Sequence, residues 1–201
     1  ALSSAASDVY KRQVIEYWTS EAGKAHYVEK LPVGKYILHE ESAPLGYKIA
    51  RDVKFEITET SDIQKVTMKD DYMTGCIVID KKDVNTKKPI AGVEFEIRDK
   101  DGKVIETLTT DKDGHAESKE LPVCIYGSDG SYKEYIHYFV VETKAVAGYI
   151  LDDTKHDVVF KSDGRNTDSL VYTLDLTNKP DKPGLPQTCL LYTSDAADDK
   201  A

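Results

Sequence analysis

Three side chains in this chain of 201 residues carry groups that can react with one another: the Lys81 amine, the Glu142 carboxyl and the Asn178 carboxamide. Each sits on an apolar stripe. Successive strand residues point to opposite faces, so Ile77, Ile79 and Lys81 share one side of GCIVIDKKD. Tyr138, Val140 and Glu142 share a side of YFVVETK, and Leu174, Leu176 and Asn178 share a side of the last apolar segment. A carboxylate aimed into a core is costly unless it is paired or protonated. From spacing alone the three read as a buried Lys–Glu ion pair with an amide beside it. Lys82 competes with Lys81 for the inward position.

The carboxylate recurs. LPVGKYILHEESAPLGY at Leu31–Tyr47 is repeated as LPV, an insertion, and YFVVETKAVAGY at Leu121–Tyr149. Tyr36, Leu38 and Glu40 match Tyr138, Val140 and Glu142. Upstream, TSEAGKA (Thr19–Ala25) matches TDKDGHA (Thr110–Ala116). The offset is 91 residues before the Leu-Pro pair, 90 at the pair and 102 after it. A period this long indicates tandem domains rather than a solenoid.

YILHEESAPLGY and FVVETKAVAGY resemble the E-box strand of collagen-adhesin B-type domains, the SpaA-type pilin domains of Gram-positive surface proteins. The resemblance covers nearly all of residues 14–180, with the second copy lacking the Pro that precedes Gly-Tyr in the motif. It implies an intramolecular isopeptide bond between Lys81 and Asn178, with Glu142 as the catalytic group. In the first domain it maps Glu40 to the catalytic position and Asp70 to the acceptor, with Asp71 as the rival; the lysine partner would lie upstream, and an Asp acceptor would lose water. The chemistry is plausible for such a site. An apolar pocket favours the neutral amine of a lysine and the protonated form of a carboxyl. That carboxyl then polarises the amide and shuttles protons, while packing supplies proximity. The reaction needs no cofactor or metal, and apart from this self-reaction the chain is not expected to be an enzyme. By analogy with a disulfide, closing a loop of about 100 residues restricts the unfolded chain by roughly 4–5 kcal/mol.

These residues must be held by strands. Segments near Val14–Trp18, Lys35–Glu41, Asp52–Thr58 and Gln64–Asp70 belong to a first domain, residues 14–72, whose opening strands are absent. Residues 73–180 form a complete second domain of about seven short strands. Turn signals at Asp101-Gly102 and Asp113-Gly114 and the lack of a helical period point to an all-β, immunoglobulin-like sandwich. The insertion CIYGSDGSYKEYIH reads as a protruding hairpin. Its tyrosines, Tyr126, Tyr132 and Tyr135, either pack on one another or form an adhesive surface for a host glycan or matrix protein.

Both ends are patternless. Residues 1–13 and 189–201 resemble translated sequencing-adapter read-through and are not expected to belong to the fold. Between them, residues 181–188 form a Pro-rich linker ending in Leu185, Pro186, Gln187 and Thr188. LPQT resembles a sortase signal with Cys189 in place of its Gly. The resemblance thus implies a secreted stalk or pilus segment on the outside of a Gram-positive cell. Its partners would be sortase and peptidoglycan, and other pilin subunits or host matrix. A net charge of −9 without a basic stripe argues against nucleic acid. No apolar run is long enough to span a membrane. Cys76 and Cys124 lack metal-ligand spacing; a disulfide between them is open. The five histidines show no ligand spacing, with His39 and His137 expected on exposed faces.

Overall fold

The computed structural model describes residues 2–8, 13–21 and 23–181. The LPQT motif and the tail after it lie outside the described residues. Fourteen strands follow in order: β1 (Leu2–Asp8), β2 (Val14–Ser20), β3 (Gly34–Ser42), β4 (Val53–Ile57), β5 (Thr74–Asp83), β6 (Glu94–Arg98), β7 (Val104–Thr109), β8 (His115–Glu117), β9 (Leu121–Pro122), β10 (Cys124–Tyr126), β11 (Tyr132–Tyr135), β12 (His137–Lys144), β13 (His156–Val159) and β14 (Leu170–Asn178). No helix occurs among the described residues.

In the second unit, one sheet runs β13-β12-β6-β7 and the other β14-β5-β8, with β9 also on β5. The alternation seen in the sequence is realised. Ile77, Ile79 and Lys81 of β5 are buried, and Val93, Phe95 and Ile97 meet them from the β6 side with Val140 of β12. Two half-buried sheets can remove these residues from water only by facing each other. The first and last strands, β5 and β14, lie side by side and parallel, from Gly75 opposite Leu170 to Asp83 opposite Asn178. Parallel neighbours need a long crossover; here the rest of the unit is that crossover. The seven expected strands are all present, and β9, β10 and β11 add short pairings around the insertion.

Among the described residues the first unit repeats one of these sheets. Its order is β2-β1-β3-β4, which is β7-β6-β12-β13 strand for strand. A shared contact fixes the equivalence: the Tyr36 hydroxyl donates to the Pro32 carbonyl and the Tyr138 hydroxyl to the Pro122 carbonyl, each at 2.8 Å. Thus the repeated Leu-Pro pair and the Tyr that follows it hold one another.

Two expectations are corrected here. Residues 1–13 are not expected from their sequence to belong to the fold, yet Leu2–Asp8 runs antiparallel to both β2 and β3, in the position of β6, and Ala6 is buried. Its small residues give no apolar period, so pairing rather than pattern places it. Conversely, Gln64–Asp70 is not a strand. Its second-unit counterpart, β14, is laddered to β5. Among the described residues no strand stands in β5's place beside 64–70, and an extended segment without a neighbour has no ladder to join.

Candidate functional site

Lys81, Glu142 and Asn178 meet in the core of the second unit. Lys81 comes from β5 and Asn178 from β14, two places apart on the shared ladder; Glu142 reaches them from β12 in the facing sheet. Lys81 Nζ lies 2.7 Å from Glu142 Oε2. The Asn178 side-chain NH2 donates to Glu142 Oε1, also at 2.7 Å. One carboxylate therefore touches the amine with one oxygen and the amide nitrogen with the other. Relative exposures are 2%, 3% and 1% for Lys81, Glu142 and Asn178, so water has almost no access. Asn178 Oδ1 is buried without a hydrogen-bond partner. Lys82, the rival, has a side chain 43% exposed and reaches Asp175 across the outer face. The inward register is that of Lys81.

Neighbours that sequence reasoning did not single out hold the lysine in place. Its ammonium lies 5.5 Å from the centre of the Phe95 ring, within the range for attraction to an aromatic face. The Lys81 N–H donates to the Gly114 carbonyl at 2.7 Å, and the Lys81 carbonyl accepts from Ile90 at 2.9 Å. At the end of β5, Asp83 is buried, accepts from the Asn85 and Thr86 N–H groups, and takes the Tyr149 hydroxyl at 3.0 Å. The Thr86 N–H above all holds the Asp83 carboxyl below its ordinary range. The repeated Asp-Gly and Gly-Tyr turns were the visible signals for Gly114 and Tyr149.

The first unit brings Glu40 and Asp70 together. Glu40 is buried and accepts from the Ala50 N–H at 2.7 Å. Asp70, half-buried, interacts with it; Asp71 is exposed. Burial pushes both carboxyls up, and the Asp70 charge adds to the effect on Glu40. The native unit therefore binds protons more tightly than the unfolded chain. This contribution to stability is fully present below the ordinary carboxylate range and declines as pH rises above about 4. Amide exchange along β3, corrected for intrinsic rates, is expected to show easier opening at neutral pH than at pH about 4. Asp70→Asn should flatten that dependence; protection that instead grows with pH would contradict the coupling.

The model of the SpaA prealbumin-like fold domain matches residues 2–72 and again 75–172. The chain belongs to the SpaA family of prealbumin-like fold domains. No curated protein matches it. Among solved structures, the TIE protein of Bacillus anthracis is similar at 25% identity and a TM-score of 0.52, over 89% of this chain and 30% of that one. BcpA, the major pilin subunit of Bacillus cereus, shares 31% identity over 52% of this chain and 28% of its own, with a TM-score of 0.39. The shaft pilin SpaA of Lactobacillus rhamnosus GG shares 18% identity over 90% of this chain and 71% of its own, with a TM-score of 0.40. The chain thus spans about 30% of the length of the TIE and BcpA chains.

The two SpaA units meet through the second unit's inserted hairpin. Tyr126 packs on Tyr47 and Tyr72 of the first unit. Tyr132 and Tyr135 stack edge to face, and the Tyr135 hydroxyl reaches the Ser162 carbonyl. Of the two readings of these tyrosines, packing within the chain or a ligand surface, all three have partners within the chain. Cys76 and Cys124 are free thiols, both buried. His39 and His137 are exposed and pair with Asp52 and Asp157. No group of three or more potential metal ligands occurs among the described residues. No helix among them is long and apolar enough to cross a membrane.

Proposed function

We propose that this chain is a segment of a Gram-positive surface stalk or pilus shaft whose second unit crosslinks itself, Lys81 to Asn178, with Glu142 carrying the protons. The observation that carries the reading is the single buried carboxylate in contact with both reacting nitrogens. Family membership supports it, as does the burial of all three side chains.

The reaction follows from the contacts. Lys81 gives a proton to Glu142 Oε2 and, as a neutral amine, attacks Cγ of Asn178. Charge develops on Oδ1. Glu142 delivers its proton to Nδ2 as the Cγ–Nδ2 bond breaks and ammonia leaves. It then takes the surplus proton from the new amide nitrogen. One C–N bond forms, one breaks, and no oxidant or activated co-reactant is required. The ion pair is replaced by a neutral amide and a neutral carboxyl, which removes two buried charges of the kind that are costly to keep out of water. Folding supplies the orientation that an enzyme would otherwise provide.

Intact-mass measurement tests this. The folded chain is expected to be lighter than its sequence mass by one ammonia, with fragmentation joining Lys81 to Asn178. Glu142→Ala should restore the unmodified mass. An unmodified mass in the folded wild-type chain would overturn the crosslink. In the first unit, the same reading makes Asp70 an acceptor for a lysine, with loss of water and with Glu40 in the role of Glu142. The LPQT stretch, Leu185–Thr188, is read as a sorting signal that would bring sortase and peptidoglycan as partners and place the stalk on the cell wall.

A further inference from the structure

Beyond the LPV at Leu121–Val123 the second copy is longer than the first: the offset between copies rises there from 90 to 102 residues. The first copy runs straight from Val33 through Gly34 and Lys35 into its Tyr36, whereas the second inserts the β10–β11 hairpin. We propose that this insertion is a clasp whose partner is the Gly46-Tyr47 turn of the preceding unit, and that it makes the tandem pair move as one body.

The contacts are reciprocal. The Tyr47 hydroxyl of the first unit donates to the Gly130 carbonyl at the hairpin tip, at 2.5 Å. The Tyr126 hydroxyl of the hairpin donates to the Gly46 carbonyl. Each unit thus gives a phenol to a glycine of the other. Three rings fill the space between, with centroids 5.5 Å apart for Tyr47–Tyr126, 4.3 Å for Tyr72–Tyr126 and 5.1 Å for Tyr47–Tyr72. Both glycines are bare where the rings arrive. A Cβ on Gly46 would stand 3.1 Å from Tyr126 and one on Gly130 2.9 Å from the Tyr47 oxygen. A side chain at either position would have to displace the ring that meets it.

A second set of contacts holds the same segment. The Ala43 N–H donates to the Gly164 carbonyl and the Ile49 N–H to the Asn166 carbonyl, each at 2.9 Å. Lys48 Nζ reaches Ser169 Oγ at 3.1 Å. Residues 43–49 are therefore held between the hairpin and the 162–169 loop. The first unit has reason to depend on this grip. Among the described residues its buried apolar side chains are Ala6, Tyr36 and Ala43, whereas the second unit buries a full two-sheet core. A single sheet with so little covered area is marginal by itself. The clasp makes no use of the crosslink, so its test is separate from the mass measurement.

Hydrogen exchange on the full chain tests the clasp through the amides of Ala43, Ile49 and Met73, the last of which donates to Gly46. In the wild-type chain all three should be protected. Tyr126→Ala should raise their exchange by at least about tenfold while the β6 and β12 amides keep their rates, since local opening is read separately from the core. Tyr47→Ser makes the same test without touching the second unit's core, and decides the matter should Tyr126→Ala unfold that unit. Nuclear spin relaxation should show one common tumbling time in the wild type and two in the variants. Unprotected amides at Ala43 and Ile49 in the wild-type chain would overturn the clasp. So would wild-type exchange rates in Tyr47→Ser.

Discussion

Lys81→Ala is expected to lower the melting temperature of the second unit by at least about 20 °C, and Glu142→Ala by a similar amount. Two contributions add. The crosslinked unit holds no charge at this site, whereas the variant keeps one ionisable group buried without its partner, and an uncompensated buried charge typically costs about 3–5 kcal/mol. Loss of the proposed crosslink frees a loop spanning nearly the whole unit, worth roughly 4–5 kcal/mol by the disulfide analogy. A double replacement separates them. Lys81→Met with Glu142→Leu removes both charges and leaves apolar packing of similar volume, so the ion-pair cost vanishes. If the crosslink contributes, this double variant remains about 4–5 kcal/mol short of wild type. Thermal unfolding that returns to the wild-type midpoint would show that the residues act as a polar cluster alone.

The second large effect is expected at a residue that does no chemistry. Gly114 has φ +72°, and a Cβ there would sit 2.4 Å from the backbone oxygen of Lys81. Gly114→Ala brings two costs. A left-handed backbone disfavours L side chains by about 1–2 kcal/mol. The overlap adds a shift of β5 of the kind that costs about 1–3 kcal/mol. Because the moved atom belongs to Lys81, the amine moves with it. The variant should therefore melt lower and also carry a smaller fraction of chains lacking ammonia. Gly114→Asn separates the causes, since Asn tolerates the left-handed region better yet keeps the clash. Crosslinking in Gly114→Asn that is as complete as in wild type would show that the turn does not position the lysine.

Much of the second unit was legible because half-buried strands alternate. Ile77, Ile79 and Lys81 gave the β5 face, Leu174, Leu176 and Asn178 the β14 face, and the repeat singled out Glu142. Alternation reports which side a residue faces, not whether a neighbouring strand exists. Val66, Met68 and Asp70 are half-buried as their spacing suggests, yet 64–70 forms no ladder. Leu2–Asp8 errs in the other direction, since Ser and Ala leave no pattern to read even where a strand is paired on both sides. The role of the hairpin tyrosines was hidden for a different reason. Tyr126 meets Tyr47 across about half of the second unit's sequence, and no local period encodes so distant a pairing. Gly114 was visible as a turn residue, but its contact with Lys81 depends on β8 lying against β5.

The parallel pairing of β5 and β14 has a mechanical consequence. A stretching force enters the unit at the start of β5 and leaves at the end of β14. Because the strands run the same way, that force slides one along the other. Every ladder bond from Gly75–Leu170 to Asp83–Asn178 is loaded at once, and none can part before its neighbours. An antiparallel pair pulled from one end would instead peel open bond by bond. Lys81 and Asn178 lie toward the exit end of this ladder, so a covalent link there would carry the load from β5 directly into the end of β14. The crossover from Val84 to Ser169 would then bear none of it, and the unit would transmit force without lengthening.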